Sequence, residues 1–134
     1  MQGSHFQQLL RASVNQPQPQ RLLFVFAAAE LPDHPTAEQR RRFQAGQGGA
    51  LSPLMCVDKA PDELTDFDAL AAESRRAGPP WQVVFAAGLA GVDGLPPTPA
   101  RIESALEKMV NAVLFGVVGQ FAAYNTSGEP IRVL

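Results

Sequence analysis

Arg21-Leu22-Leu23-Phe24-Val25-Phe26-Ala27-Ala28-Ala29 is apolar at every position after its arginine. In an extended strand successive side chains alternate between faces. Leu22, Phe24, Phe26 and Ala28 therefore point one way, and Leu23, Val25, Ala27 and Ala29 the other. A strand apolar on both faces must be covered on both, which makes it an internal strand of a layered domain. The same run imitates the apolar core of a secretory leader ending in Ala-x-Ala. It is short for that role, and a long segment containing Pro17 and Pro19 precedes it, so a buried strand accounts for it better.

Outward from this strand, helices and strands alternate. On its N-terminal side, Phe6, Leu9, Leu10 and Val14 recur at near-helical spacing from Ser4 to Val14, with Ser4 as the cap. Gln16-Pro17-Gln18-Pro19-Gln20 stops that helix, since each proline drives its predecessor out of the helical region. On the C-terminal side, Leu31 to Pro35 reads as a loop. Thr36 and Gln39 form a capping box that opens a helix ending near Gly46. Gly46-Gln47-Gly48-Gly49 is flexible punctuation before a second strand, Leu54 to Asp58.

A helical region follows from Pro61 and Asp62, or from Thr65, with Leu64, Phe67, Leu70 and Ala71 on one side. Acids at its start and Arg75 and Arg76 at its end complement the helix dipole. Trp81 to Ala87 is a third buried strand. Thr98 caps the next helix, with Pro99 at its first position and Ile102, Leu106, Met109, Val110 and Val113 as its buried stripe. Gln120 to Tyr124 and Pro130 to Val133 form a C-terminal hairpin, closed by Asn125-Thr126-Ser127-Gly128. Pro130 and Arg132 mark its last member as an edge strand.

The order αβαβαβαββ predicts an α/β or α+β fold: one mixed five-stranded sheet with about four packed helices and a C-terminal β-hairpin. The helices between strands two and three, and three and four, predict parallel, right-handed crossovers. The link between strands one and two leaves their relative direction open. At 134 residues the chain is expected to be one domain, residues 1–20 being a helix and a Pro/Gln linker.

Composition narrows the function classes. A formal net charge of -2 removes the clustered positive charge that drives phosphate binding, so nucleic acid is not expected as a partner. Arg40-Arg41-Arg42 reads as a solvated helix face. No apolar stretch reaches the 18 residues that suggest a membrane span. Cys56 is the single cysteine, which excludes an intrachain disulfide and suits a cytoplasmic setting.

Catalytic constellations are absent from the pattern. Gly46-x-Gly48-Gly49 follows a helix and precedes a strand, the reverse of a phosphate loop. Cys56 lies mid-strand between Met55 and Val57 and is expected to be a buried, slowly reacting thiol. His5 and His34 are the only histidines, and with one cysteine they assemble no zinc spacing. Asp58, Asp62, Glu63, Asp66 and Asp68 lack the glycine and spacing of a calcium loop. No catalytic residue, metal or cofactor is therefore expected. In open α/β sheets, ligands bind beyond the carboxyl ends of the strands. If strands one to three run parallel, Glu30, His34, Asp58, Lys59 and Asp93 converge there as a polar rim, with Lys59 as the anion partner.

Arg21 to Pro32, the run Gly48 to Leu64 and Gly78-Pro79-Pro80-Trp81 together resemble a family of short proteobacterial proteins, with Leu51 to Leu64 the most specific part. Its largely uncharacterised members often carry the label "ribonucleotide reductase subunit alpha". Ribonucleotide reduction needs a thiyl-forming cysteine, a reducing cysteine pair and a large barrel, which a chain of 134 residues with one cysteine lacks. The resemblance implies a bacterial cytoplasmic setting and transfers no catalytic residue. The expectation is a non-catalytic module that binds an unidentified protein or self-associates through the edge strand Pro130 to Leu134. A small-ligand sensor or enzyme using the polar rim is the alternative.

Overall fold

A computed structural model describes residues 4–30, 34–45 and 50–132. The elements are α1 (His5–Val14), β1 (Gln20–Glu30), α2 (Ala37–Gln44), β2 (Ala50–Lys59), a 3-10 turn (Pro61–Glu63), α3 (Phe67–Ala77), β3 (Val83–Ala90), α4 (Pro99–Leu114) and β4 (Ala122–Asn125). The glycine run 46–49 and residues 133–134 lie outside the described residues.

The apolar strand is internal, as its two faces require. Four strands form one sheet in the order β2-β1-β3-β4, and every neighbouring pair is antiparallel. This corrects the expected five strands and the expected parallel crossover between strands three and four. β2 and β3 do run the same way, but β1 lies between them, so the α3 connection steps over a strand. After α4 the chain crosses the sheet face, with Val118 and Phe121 packed on it. β4 then enters opposite the middle of β3 (Ala122 opposite Ala86) and runs back against it. The expected fifth strand is a return segment: Pro130 bridges to Tyr124, and the Ile131 N–H donates to the Ala123 carbonyl at 2.9 Å.

Each sheet face carries its own core. On one, α1 and α3 deliver Phe6, Leu10, Phe67 and Leu70 onto Leu22, Phe24, Phe26, Val84 and Tyr124. On the other, α4 lays Met109 and Val113 on Leu23, Val25, Ala27 and Phe85. The alternation read from residues 22–27 is thus realised residue by residue.

The caps are largely those the sequence announces. Ser4 Oγ accepts from the Gln7 N–H at 3.2 Å, and Thr98 Oγ1 from the Arg101 N–H at 3.3 Å. Thr36 and Gln39 exchange reciprocal bonds of 3.1 and 2.8 Å. α3 departs from expectation: Asp66, not Thr65, caps it, accepting from the Ala69 N–H at 2.8 Å. Pro61 opens a separate 3-10 turn, so the acidic stretch is split between two short elements. Within the first core, Trp81 Nε1 donates to Ser74 Oγ at 2.7 Å, and that hydroxyl donates to the Ala71 carbonyl at 2.6 Å. This chain of bonds satisfies two buried polar side chains and ties α3 to the entry of β3.

Candidate functional site

The antiparallel pairing of β1 with β2 dissolves the expected five-residue rim. Leu23 stands opposite Asp58 and Leu22 opposite Lys59, whereas Glu30 stands opposite Ala50. Glu30 is seven residues along β1 from Leu23, roughly 23 Å away at strand spacing. His34 follows Glu30 at that far end, exposed, in the left-handed region at φ 54°.

Asp58, Lys59 and Asp93 do share one end of the sheet, since β2 and β3 both finish there. They nevertheless face different ways. Lys59 turns toward α3 and pairs with Glu73 at 2.8 Å, so the expected anion partner already has a carboxylate. Asp93 (φ 55°) and Gly94 (φ 77°) are the central residues of a two-residue turn between Val92 and Leu95. Asp-Gly with both φ positive is the turn that matches strand twist, which gives Asp93 a structural reason for its place.

Asp58 belongs to a different constellation, on the α4 face of β1 and β2. With Asp58 opposite Leu23 and Cys56 opposite Val25, both side chains share the face of those buried residues. Arg21 lies diagonally from Asp58 on the same face. Its Nε donates to Asp58 Oδ2 at 2.7 Å, and its Nη1 to Glu63 Oε1 at 3.2 Å.

Across from these, α4 and the segment before it form the second wall of a groove of about 690 Å³. Pro96, Pro97 and Pro99 close the end where the helix begins. Ile102, Leu106 and Val110 line the groove from successive helical turns, and Glu103, Glu107 and Asn111 from the more exposed side of the same helix. The three prolines stiffen their wall by fixing φ, and Pro99 also starts the helix at the position proline favours.

The groove's electrostatics are one-sided. Asp58, Glu103 and Glu107 set three carboxylates against the single guanidinium of Arg21. Arg21 is shared by Asp58 and Glu63, while neither Glu103 nor Glu107 has an ion-pair partner among the described residues. The surface is apolar within and acidic at its rim. It offers no free cation to an anionic ligand.

Cys56 lines this groove and is exposed, which corrects the expectation of a buried thiol. Mid-strand position implies burial only when the strand is flanked on both sides. β2 is an edge strand, and the cleft between it and α4 leaves the thiol open. Sequence reasoning missed the groove, although its parts are visible there. Glu103 and Glu107 sit one turn apart beside the apolar stripe of α4, and Pro-Pro-x-Pro precedes them.

The other notable polar group lies in the opposite core. Tyr124 is fully buried among Phe6 and Phe67, and its hydroxyl is 2.7 Å from His5 Nδ1. Burial pushes its pKa from 10.0 up to about 12, which keeps the hydroxyl protonated. This pair fastens α1 to β4 at the margin of the core.

Among the described residues no group of three or more His, Cys, Asp or Glu converges as metal ligands would, and no helix is long and apolar enough to cross a membrane. No protein-family model, curated protein or solved structure matches the chain.

Proposed function

We propose that this chain is a non-catalytic binding module that captures a segment of another protein in the groove between α4 and β2. One observation carries the reading: an apolar cleft whose rim holds two carboxylates without an ion-pair partner among the described residues, and whose one described cation is already bound by two others. Apolar walls supply non-directional affinity by removing surface from water. Rim carboxylates select the sign of the partner's charge and speed its approach. The resemblance carried by Leu51 to Leu64 supports placing this activity in a bacterial cytoplasm.

A second reading, a small-ligand sensor, draws on the groove's volume. About 690 Å³ falls within the roughly 300–1,000 Å³ of ordinary ligand pockets. The acidic rim then selects a cationic ligand over the anionic one that Lys59 suggested.

Cys56 makes the test direct, because it is the chain's single thiol and lies in the groove. In the free protein a thiol reagent is expected to label it readily without unfolding. Basic apolar peptides and small organic cations are then added separately. A binding module for protein segments predicts protection of Cys56 by the peptides and little effect of the small cations. Protection by small cations alone favours the sensor. Slow labelling in the free native protein would remove the groove from both readings.

A further inference from the structure

We infer that the partner of this groove is an extended basic segment that adds to the outer edge of β2 as a further strand. The inference rests on the docking role proposed for the groove, and four features of the molecule support it.

β2 is terminal in the sheet, and among the described residues the backbone of 50–59 bonds to no element other than β1. Such an edge is a template for an incoming strand. Pro53 lacks an N–H, and Leu54 is the unpaired residue where the β1 register shifts between Phe26 and Ala27, so the regular part of the edge is 55–59. That is also the part whose side chains, Cys56 and Asp58, line the groove.

The helix above has matching geometry. Glu103, Glu107, Val110 and Leu114 recur every three or four residues and so share one face of α4. Glu103 and Glu107 are about 6 Å apart along the helix axis at 1.5 Å per residue. Alternate residues of a strand, which point to the same face, are separated by roughly 6.6 Å. A segment with Lys or Arg at every second position therefore presents its cations in step with these carboxylates. Its intervening apolar residues fall on the other sheet face, beside Met55 and Val57. Leu114, 56% exposed, extends the same helix face toward an apolar residue further along the segment.

Charge then selects the partner. A second copy of the chain pairing edge to edge about a twofold axis would bring two acidic α4 rims together, and like charges there oppose it. A foreign basic segment meets no such penalty.

The probe is the capped hexapeptide Lys-Val-Arg-Val-Lys-Val, followed by two-dimensional amide NMR and amide hydrogen exchange of the whole chain. Three comparisons accompany it: the peptide with glutamates for its cations, the peptide N-methylated at alternate residues in each of the two phases, and the E103Q/E107Q protein. Expected are shifts and slowed exchange at 55–59, shifts at 102–111, and no binding of the acidic peptide. At least one methylation phase should abolish binding by blocking strand pairing. The double variant should bind about two- to thirtyfold more weakly, as the loss of two surface ion pairs implies.

If both methylated peptides bind as well as the parent, or the acidic peptide does, strand addition by a basic segment is wrong while the groove still docks peptides. If no peptide perturbs the groove residues, the inference and the docking role fall together. A folded double variant, judged by its Trp81 fluorescence, that binds with unchanged affinity also overturns the inference.

Discussion

Tyr124 and Trp81 are the chain's single tyrosine and tryptophan, so each reports on its own surroundings without interference. Burial holds the Tyr124 proton to about pH 12, whereas an unfolded tyrosine releases it near 10.0. Between those values the unfolded chain binds fewer protons than the native one. The sign is therefore fixed: this contribution to stability is whole below pH 10 and falls as pH rises toward 12. An absorbance titration of the native protein should show tyrosinate only near pH 12 or together with unfolding. A native midpoint near 10 would contradict the buried placement. Trp81 tests a different bond. Ser74→Ala removes the acceptor of the indole N–H in a dry core and should destabilise by about 1–3 kcal/mol. Urea unfolding followed by Trp81 fluorescence measures it, and a loss below about 0.5 kcal/mol would mean that another acceptor replaces Ser74.

At the scale of elements, helix starts were the most legible feature, because a cap is a local chemical event. Ser4, Thr36 with Gln39, and Thr98 with Pro99 all act where their side chains predict. Strand ends were less legible. β2 begins at Ala50, ahead of the expected Leu54, because β1 continues to Glu30 and pairs with it there. β3 runs on to Ala90, past Ala87, for the same reason at Gln20. Turns carry their own prediction. Gly128 has φ 82°, and a Cβ there would lie 2.9 Å from Phe67. Gly128→Ala should therefore cost more than the ~1 kcal/mol expected from backbone strain alone. Gly94→Ala, in a turn where a Cβ meets nothing within 4 Å, should cost only that strain. Thermal unfolding of the two variants side by side tests the difference, and equal losses would show that Phe67 yields freely.

For the whole molecule, the two edges of the sheet make separable predictions. Among the described residues, β2 has an open edge beside the acidic groove, whereas β4 is partly flanked by the return segment at Pro130 and Ile131. Self-association through Pro130 to Leu134, proposed from the edge-strand character of that segment, concerns only the second. Light scattering at high concentration should then show a dimer in the full chain and a monomer after removal of residues 130–134. Peptide protection of Cys56 should be unchanged by that truncation. A strict monomer in the full chain would end the self-association proposal and leave the groove untouched.

By itself the sequence determined that residues 22–27 form a strand buried on both faces, that helices alternate with strands, and where most helices start. These follow from side-chain periodicity and from caps acting within a few residues. Only the tertiary structure decided which strands are neighbours and which way they run, because that depends on how helices cross the sheet and not on any local pattern. The consequence is concentrated in three residues. Glu30 moved away from Asp58 because β1 and β2 are antiparallel. Lys59 was taken by Glu73 because α3 packs on its face. Cys56 became exposed because β2 is an edge strand. The groove that replaces the expected rim joins Arg21, Asp58 and Glu107, residues far apart in the chain. Long-range pairing brings them together, and no spacing along the chain encodes it.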